Sequence, residues 1–305
     1  RRQRQMCIRD RVRGIQSRGV DVVAKHLCAQ GETTGGVNAS AARIGPRELR
    51  EIHLPPVRAC VEAGVAGFMA AYNEIDGVYC HANRWLLTEL LRQEYGYQGI
   101  VMSDGVAIDQ LDAVTGDRTV SGAVALEAGV DMGLWDTGFA QLEEAVERGL
   151  VSTARLEEAV LRILEMKFRR GLFEEPFIAE HALWQGYTPD QYPQVRELAR
   201  ESMVLLKNEG NLLPLDGTKP LRLLVTGPNA DEIYSQLGDY TPPVRPASGV
   251  TVRRGLEQWA SGTPVQVSYV PGCPAFASSP EMIEEAVAAA QEVDVIVAAL
   301  GGTSS

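Results

Sequence analysis

The chain has 305 residues, of which 45% are hydrophobic and 23% charged, and its formal net charge is −11. This is globular composition with length for a sizeable core and about two domains. The negative balance argues against nucleic acid and for a neutral or cationic small molecule. No apolar run approaches the roughly 20 residues of a membrane span, and no signal-peptide pattern opens the chain. The five cysteines (Cys7, Cys28, Cys60, Cys80, Cys273) and four histidines are scattered. They form neither a disulfide framework nor a metal-ligand spacing, so no metal or cofactor is implied.

Residues 1–12 are arginine-rich and are expected to be a disordered or extraneous basic lead. Val20–Ala24 then reads as a strand ending in Lys25-His26, followed by a Gly/Thr-rich loop through Asn38. Pro46 suits the first turn of a helix, and Pro55-Pro56 should bend or restart it. Val65–Met69 is the next strand, leading to Tyr72 and the Asp76-Gly77 turn signal. A helix over 83–95 precedes the apolar run Gly99–Met102, which stops abruptly at Ser103-Asp104. A helical stretch over 123–128, a strand over 129–134, and helices over 139–149 and 152–170 follow. In the last of these Leu156, Val160, Ile163, Leu164 and Phe168 share one face, and Gly171 is placed for a helix C-cap.

Four strands alternating with helices predict an α/β fold: the C-terminal half of a (β/α)8 barrel over 13–173, with a doubly wound sheet as the competing arrangement. A full barrel needs roughly 250 residues, so its other strands are expected to precede this chain. Residues 174–195, with Pro176, Pro189 and Pro193, read as a linker. Residues 196–305 resume the alternation as the first part of an α/β/α sandwich: a helix over 197–207, a strand over 221–226, a helix over 280–291 and a strand over 293–300. Ending just after a strand, this domain is expected to continue beyond Ser305.

In a parallel sheet the C-terminal strand ends face the ligand. Three such ends offer Lys25 with His26, Met69 with Tyr72, and Asp104. Lys25 beside Asp104 would keep that carboxylate ionised, and Tyr72 could donate a hydrogen bond to it. A carboxylate over an apolar floor suits attack on a sugar's electrophilic carbon or stabilisation of an oxocarbenium ion. Taken singly these residues also have plain readings: a helix cap for Asp104, an ion pair for Lys25, core packing for Met69. A Schiff-base aldolase or lyase using Lys25 and a non-catalytic sugar-binding module are the alternative functions. A nucleotide site at Thr226-Gly227-Pro228-Asn229 lacks a glycine-rich phosphate fingerprint.

Several motifs occur together and in order. They are Ala24-Lys25-His26-Leu27, Gly35-Gly36-Val37-Asn38, Gly45–Glu51, Met69–Gly77, Cys80-His81-Ala82-Asn83, Gly99–Asp104, Lys167–Phe173 and Leu205–Leu215. In this combination, over about residues 13–305, the chain resembles glycoside hydrolase family 3, and Leu205–Leu215 resembles the two-domain β-glucosidase/β-xylosidase branch. The resemblance implies a retaining exo-β-glycosidase acting on a β-glycoside or oligosaccharide, with no cofactor. Asp104 matches the family's nucleophile; Lys25 and His26 match the pair that grips sugar hydroxyls; Met69 and Tyr72 match the residues flanking the nucleophile. Three departures stand out, one being that the family's upstream strands, with the aspartate and arginine that hold the sugar's outer hydroxyls, are absent from this sequence. Gly105 occupies the position where the family usually has an aromatic residue. The family's general acid/base glutamate is expected beyond the Gly301-Gly302 loop, which would leave this 305-residue piece inactive by itself.

Overall fold

The computed structural model describes residues 2–178, 193–238, 241, 249–277 and 279–302, with side chains from residue 6 onward. It divides into two compact units, Arg1–Gln185 and Gly186–Ser305. The expected linker over 174–195 falls largely on 179–192, outside the described residues.

The first unit is built on a parallel sheet of β1 (Val23–Leu27), β3 (Gly67–Ala70) and β6 (Ile100–Met102), in that spatial order. Successive side chains on a strand face opposite sides, and here the two sides have different tasks. Phe68 and Val101 join a core with Leu27, Leu54, Leu86, Leu87, Leu90 and Leu91 on the helical side. Met69 and Met102 are buried but lie outside that cluster. Met69 pairs with Met102 in register, and Met102 forms an isolated parallel bridge with Met132. The three thioethers therefore form one row across the opposite face.

The helix Trp85–Glu94 shows why this sequence packs as it does. Its Leu86, Leu87, Leu90 and Leu91 fall on one face and are all buried, each contributing about 1.5–3 kcal/mol. The Asn83 side chain accepts from the Leu86 amide at 3.0 Å and starts the helix. The last helix of the unit, Thr153–Arg169, is capped by Ser152, whose hydroxyl accepts from the Arg155 amide at 3.2 Å. Gly171 takes the left-handed conformation, φ 67°, that ends it. Asp76 and Gly77, with φ 50° and 85°, make the two-residue turn joining β4 (Glu74–Ile75) and β5 (Val78–Tyr79). Beside them β2 (Ala41–Ala42) pairs with β4.

Four expectations need correction. The basic lead forms a helix, Arg2–Gln16, with Val12 buried and Ile8 packed on the core. Its Gln16 side chain accepts from the Ala66 amide at 3.0 Å and donates to the Gly64 carbonyl at 2.8 Å, tying the helix to the entry of β3. Lys25 and His26 lie inside β1, which is shifted to Val23–Leu27. The strand expected over 129–134 is reduced to the Met132 bridge. The helix expected over 197–207 is Pro193–Glu201, and Met203–Leu206 are exposed beyond it.

The second unit holds a parallel sheet in the order β8 (Val265–Val270), β7 (Leu221–Thr226), β9 (Val295–Ala298). Helix Val252–Ala260 connects β7 to β8 and helix Pro280–Ala290 connects β8 to β9. Right-handed crossovers running to opposite sides of β7 put the two helices on opposite faces, the α/β/α layering read from the sequence. Leu223 and Val225 are fully buried at its centre.

Asp131 has no exposed side-chain surface. Its carboxylate accepts from Arg92, from Arg155 at 3.1 Å and Arg162 at 2.9 Å, and from the Val101 amide at 2.9 Å. Removing one charge from such a cluster leaves buried guanidinium groups uncompensated. Asp131→Asn is expected to lower stability by roughly 3–5 kcal/mol, read as a shift in the urea midpoint of unfolding at unchanged slope.

Candidate active site

β6 delivers Asp104 two residues past its last paired residue. The chain turns there, with the Ala107 amide donating to the Asp104 carbonyl at 3.1 Å. The Asp104 side chain caps no helix: the next helical turns, Asp109–Leu111 and Asp112–Thr115, have no side-chain cap, and Asp117 caps the helix Arg118–Ala128. The carboxylate is 8% exposed as a residue and bound by two donors. Oδ2 lies 3.1 Å from His26 Nε2, and Oδ1 accepts from the Gly105 amide at 2.9 Å.

His26 is a neutral donor at physiological pH. Burial lowers its affinity for a proton; Asp104 acts against this, Lys25's charge adds to it, and a hydrogen bond donated to the Gln30 side chain acts against it. Lys25 itself is exposed on β1. Tyr72 donates to the Gly105 carbonyl at 2.6 Å, one residue on from the carboxylate for which the sequence casts it as a donor. The phenol thus fastens the backbone that follows Asp104. Met69 and Met102 lie buried at the strand ends just before this turn. His26, Tyr72 and Met69 are therefore gathered with Asp104 around the ends of β1, β3 and β6, and Lys25 precedes His26 on β1.

Other residues of the site are silent in the sequence reading. His81 is 1% exposed, and its Nε2 accepts from the Asp104 amide at 3.1 Å. This fixes the neutral tautomer protonated on Nδ1, beside the backbone of Ala71. Ser103 donates to Asp136, and its Oγ accepts from the Leu134 amide at 2.7 Å. Asp136 also accepts from the amides of Ile108 at 2.8 Å and Leu134 at 2.9 Å. Asp109 accepts from the amides of Thr137 and Gly138, at 3.0 and 2.9 Å, and pairs with Arg118. Two buried acids thus brace the loop after Asp104 against the loop 134–138. His81 appears in the motif Cys80-His81-Ala82-Asn83, but its burial depends on contacts distant in sequence. Among the described residues no group of three or more His, Cys, Asp or Glu side chains is arranged to hold a metal ion, and no helix is long and apolar enough to cross a membrane.

Residues 5–166 match the description of the glycosyl hydrolase family 3 N-terminal domain, and residues 203–305 that of its C-terminal domain. The chain belongs to glycosyl hydrolase family 3. It is similar to a β-xylosidase of Formosa agariphila, 33% identical over 96% of this chain and 44% of that protein. It is also similar to a periplasmic β-glucosidase of Salmonella typhimurium, 31% identical over 91% and 40%. Among solved structures, a β-glucosidase from Erythrobacter marinus superposes with a TM-score of 0.71 at 36% identity, covering 94% of this chain and 41% of the other. One from Listeria innocua, solved with glucose, gives 0.69 at 30% identity, covering 93% and 39%. The chain thus spans about two fifths of the length of these relatives.

Burial pushes the His81 imidazole down to about 4 from its ordinary 6.5. Between these values the unfolded chain binds a proton that the folded chain refuses, so stability rises with pH through this window and falls on acidification. The stabilisation is complete above pH 6.5 and is lost as the pH drops toward 4, by up to about 3 kcal/mol. His81→Gln is expected to flatten this part of a pH series of urea unfolding curves. The slope contributed by His26 should remain.

Proposed function

We propose that the protein is a retaining exo-β-glycosidase that cleaves terminal β-linked glucose or xylose, with Asp104 as nucleophile. The observation that carries this reading is the carboxylate at the end of β6, recessed to 8% exposure and held at both oxygens by neutral donors, His26 and the Gly105 amide. Neutral donors orient the oxygens and leave the negative charge to be spent on the substrate. The names of the relatives, β-xylosidase and β-glucosidase, supply the substrate class.

In this reaction an Asp104 oxygen forms a bond to the anomeric carbon from the face opposite the leaving oxygen. The glycosidic C–O bond breaks, and its electron pair goes to the leaving oxygen, which takes a proton from a general acid. Water then adds to the anomeric carbon of the ester, gives up a proton, and returns the carboxylate. His26 and Lys25 face the hydroxyls of the bound sugar. Tyr72 and His81 act through the backbone: one holds the Gly105 carbonyl and the other the Asp104 amide, so that the carboxylate does not swing when the bond forms.

An activated aryl β-glycoside carries a leaving group that departs with little acid assistance, so it reports on the nucleophile. Asp104→Asn in the product of the complete reading frame should reduce its hydrolysis by about 10³-fold or more. A 2-deoxy-2-fluoro-β-glycoside should remain attached to the peptide containing residue 104, detected by mass spectrometry after proteolysis. Full activity of the variant, or label on another residue, would remove Asp104 from the role.

A further inference from the structure

The motif Gly35-Gly36-Val37-Asn38 reaches Asp104 indirectly, through Gln30 and His26. β1 ends at Leu27, and Ala29 takes the left-handed conformation at φ 63°, which alanine keeps only where its surroundings impose it. This bend leads into the short helical turn Gln30–Glu32 and brings the Gln30 side chain back beside His26, which donates a hydrogen bond to it.

The other end of the Gln30 amide is held as well. Its Nε2 donates to Asn38 Oδ1 at 2.8 Å, and the Ala39 amide donates to the same oxygen at 3.1 Å. Asn38 thus faces Gln30 with its carbonyl oxygen. Gln30 in turn points its NH2 group at Asn38 and keeps its own carbonyl oxygen for the imidazole.

Asn38 is fixed by the loop that carries it. Gly35 and Gly36, with φ 70° and 68°, reverse the chain in the left-handed region that glycine adopts without strain. Thr34 Oγ1 donates to the Ala41 carbonyl at 2.8 Å, and Ser40 Oγ to the Thr34 carbonyl at 2.9 Å. Thr33 forms a bridge with the fully buried Ala42. The loop is closed on itself, and from it Asn38, Gln30 and His26 lead in sequence to Asp104 Oδ2, 3.1 Å from His26 Nε2.

We infer that Gln30, held by Asn38, is a positioning residue that keeps the His26 ring aimed at Asp104. This rests on the glycosidase reading and deepens it. Gln30 touches no reacting atom; it acts on the donor that orients the nucleophile. The charged groups acting on His26 are Asp104, from the end of β6, and Lys25, its neighbour on β1. Gln30 is uncharged, so it directs the ring without changing the charge around the carboxylate.

The test uses the product of the complete reading frame with an activated aryl β-glucoside and aryl β-xyloside, following kcat and KM across pH. A proton taken up by the His26–Asp104 pair neutralises the attacking carboxylate and sets the acid limb of the profile. Gln30→Leu keeps the bulk and removes the acceptor. Its kcat should fall about tenfold with KM little changed, and its acid limb should move to lower pH, because the protonated imidazole loses a partner. Gln30→Glu keeps the reach and adds a negative charge that favours the protonated imidazole, so its acid limb should move up by about one pH unit. A merely structural defect would lower activity at every pH and leave the limb in place. Asn38→Ala frees Gln30 without altering it and should lower kcat in the same sense as Gln30→Leu; where a Gln30 variant does not fold, an unchanged kcat in Asn38→Ala overturns the role. Unmoved acid limbs in both Gln30 variants of an active parent also overturn it, and leave the glycosidase reading intact. A parent inert toward both aryl glycosides overturns the glycosidase reading, and the role of Gln30 falls with it.

Discussion

One buried carboxylate holds the first unit together. Asp131 gathers Arg92 from the helix Trp85–Glu94, Arg155 and Arg162 from the helix Thr153–Arg169, and the amide of Val101 from the middle of β6. Three cations and one anion leave a surplus of positive charge, which Glu158 partly offsets through Arg155 and Arg162. The arrangement fixes where two helices sit on the sheet, and it fixes the strand that carries Asp104. Desolvation makes such a cluster a modest source of net stability but a strict determinant of geometry. A second tie has the same effect at the other edge: Arg170 pairs with Asp21 and donates to the Gly19 carbonyl at 2.9 Å, joining the end of the last helix to the approach to β1.

The acids of this region divide the labour between structure and chemistry. Asp131 fixes the helices, Asp136 and Asp109 bind backbone amides and brace loops, and Asp117 caps a helix and pairs with Arg148. Each of these is occupied by cations or by several donors. Asp104 instead meets His26 and its neighbour's amide. It combines a recessed position with partners that do not neutralise it, and this sets it apart from the structural acids around it.

Much of this was legible in the sequence, for identifiable reasons. The run Gly99–Met102 ending at an acid gives a buried parallel strand because β-branched and apolar residues without alternation suit a sheet covered on both faces. The Asp76-Gly77 turn and the Gly171 stop follow from local backbone chemistry and appear where the residues predict them. The helix Arg2–Gln16 is hidden by its arginines: Ile8, Val12 and Ile15 share one face, but three apolar residues among so many charges are a faint period. In the second unit the signal was present, since Val265, Val267 and Tyr269 alternate in β8 and Thr251 opens the helix Val252–Ala260. The position of His81 was not legible. Burying it depends on loops brought together by the sheet, and no local pattern encodes that.

The row of Met69, Met102 and Met132 has an evolutionary consequence. Because alternate residues of a strand serve opposite faces, the packing of Phe68 and Val101 against the helices is set independently of what occupies the methionine row. Exchanging a thioether for another flexible side chain would reshape the lining of the face opposite the helices and leave the leucine-rich layer behind it undisturbed. The scaffold can therefore keep its foundations while the shape of this face diversifies.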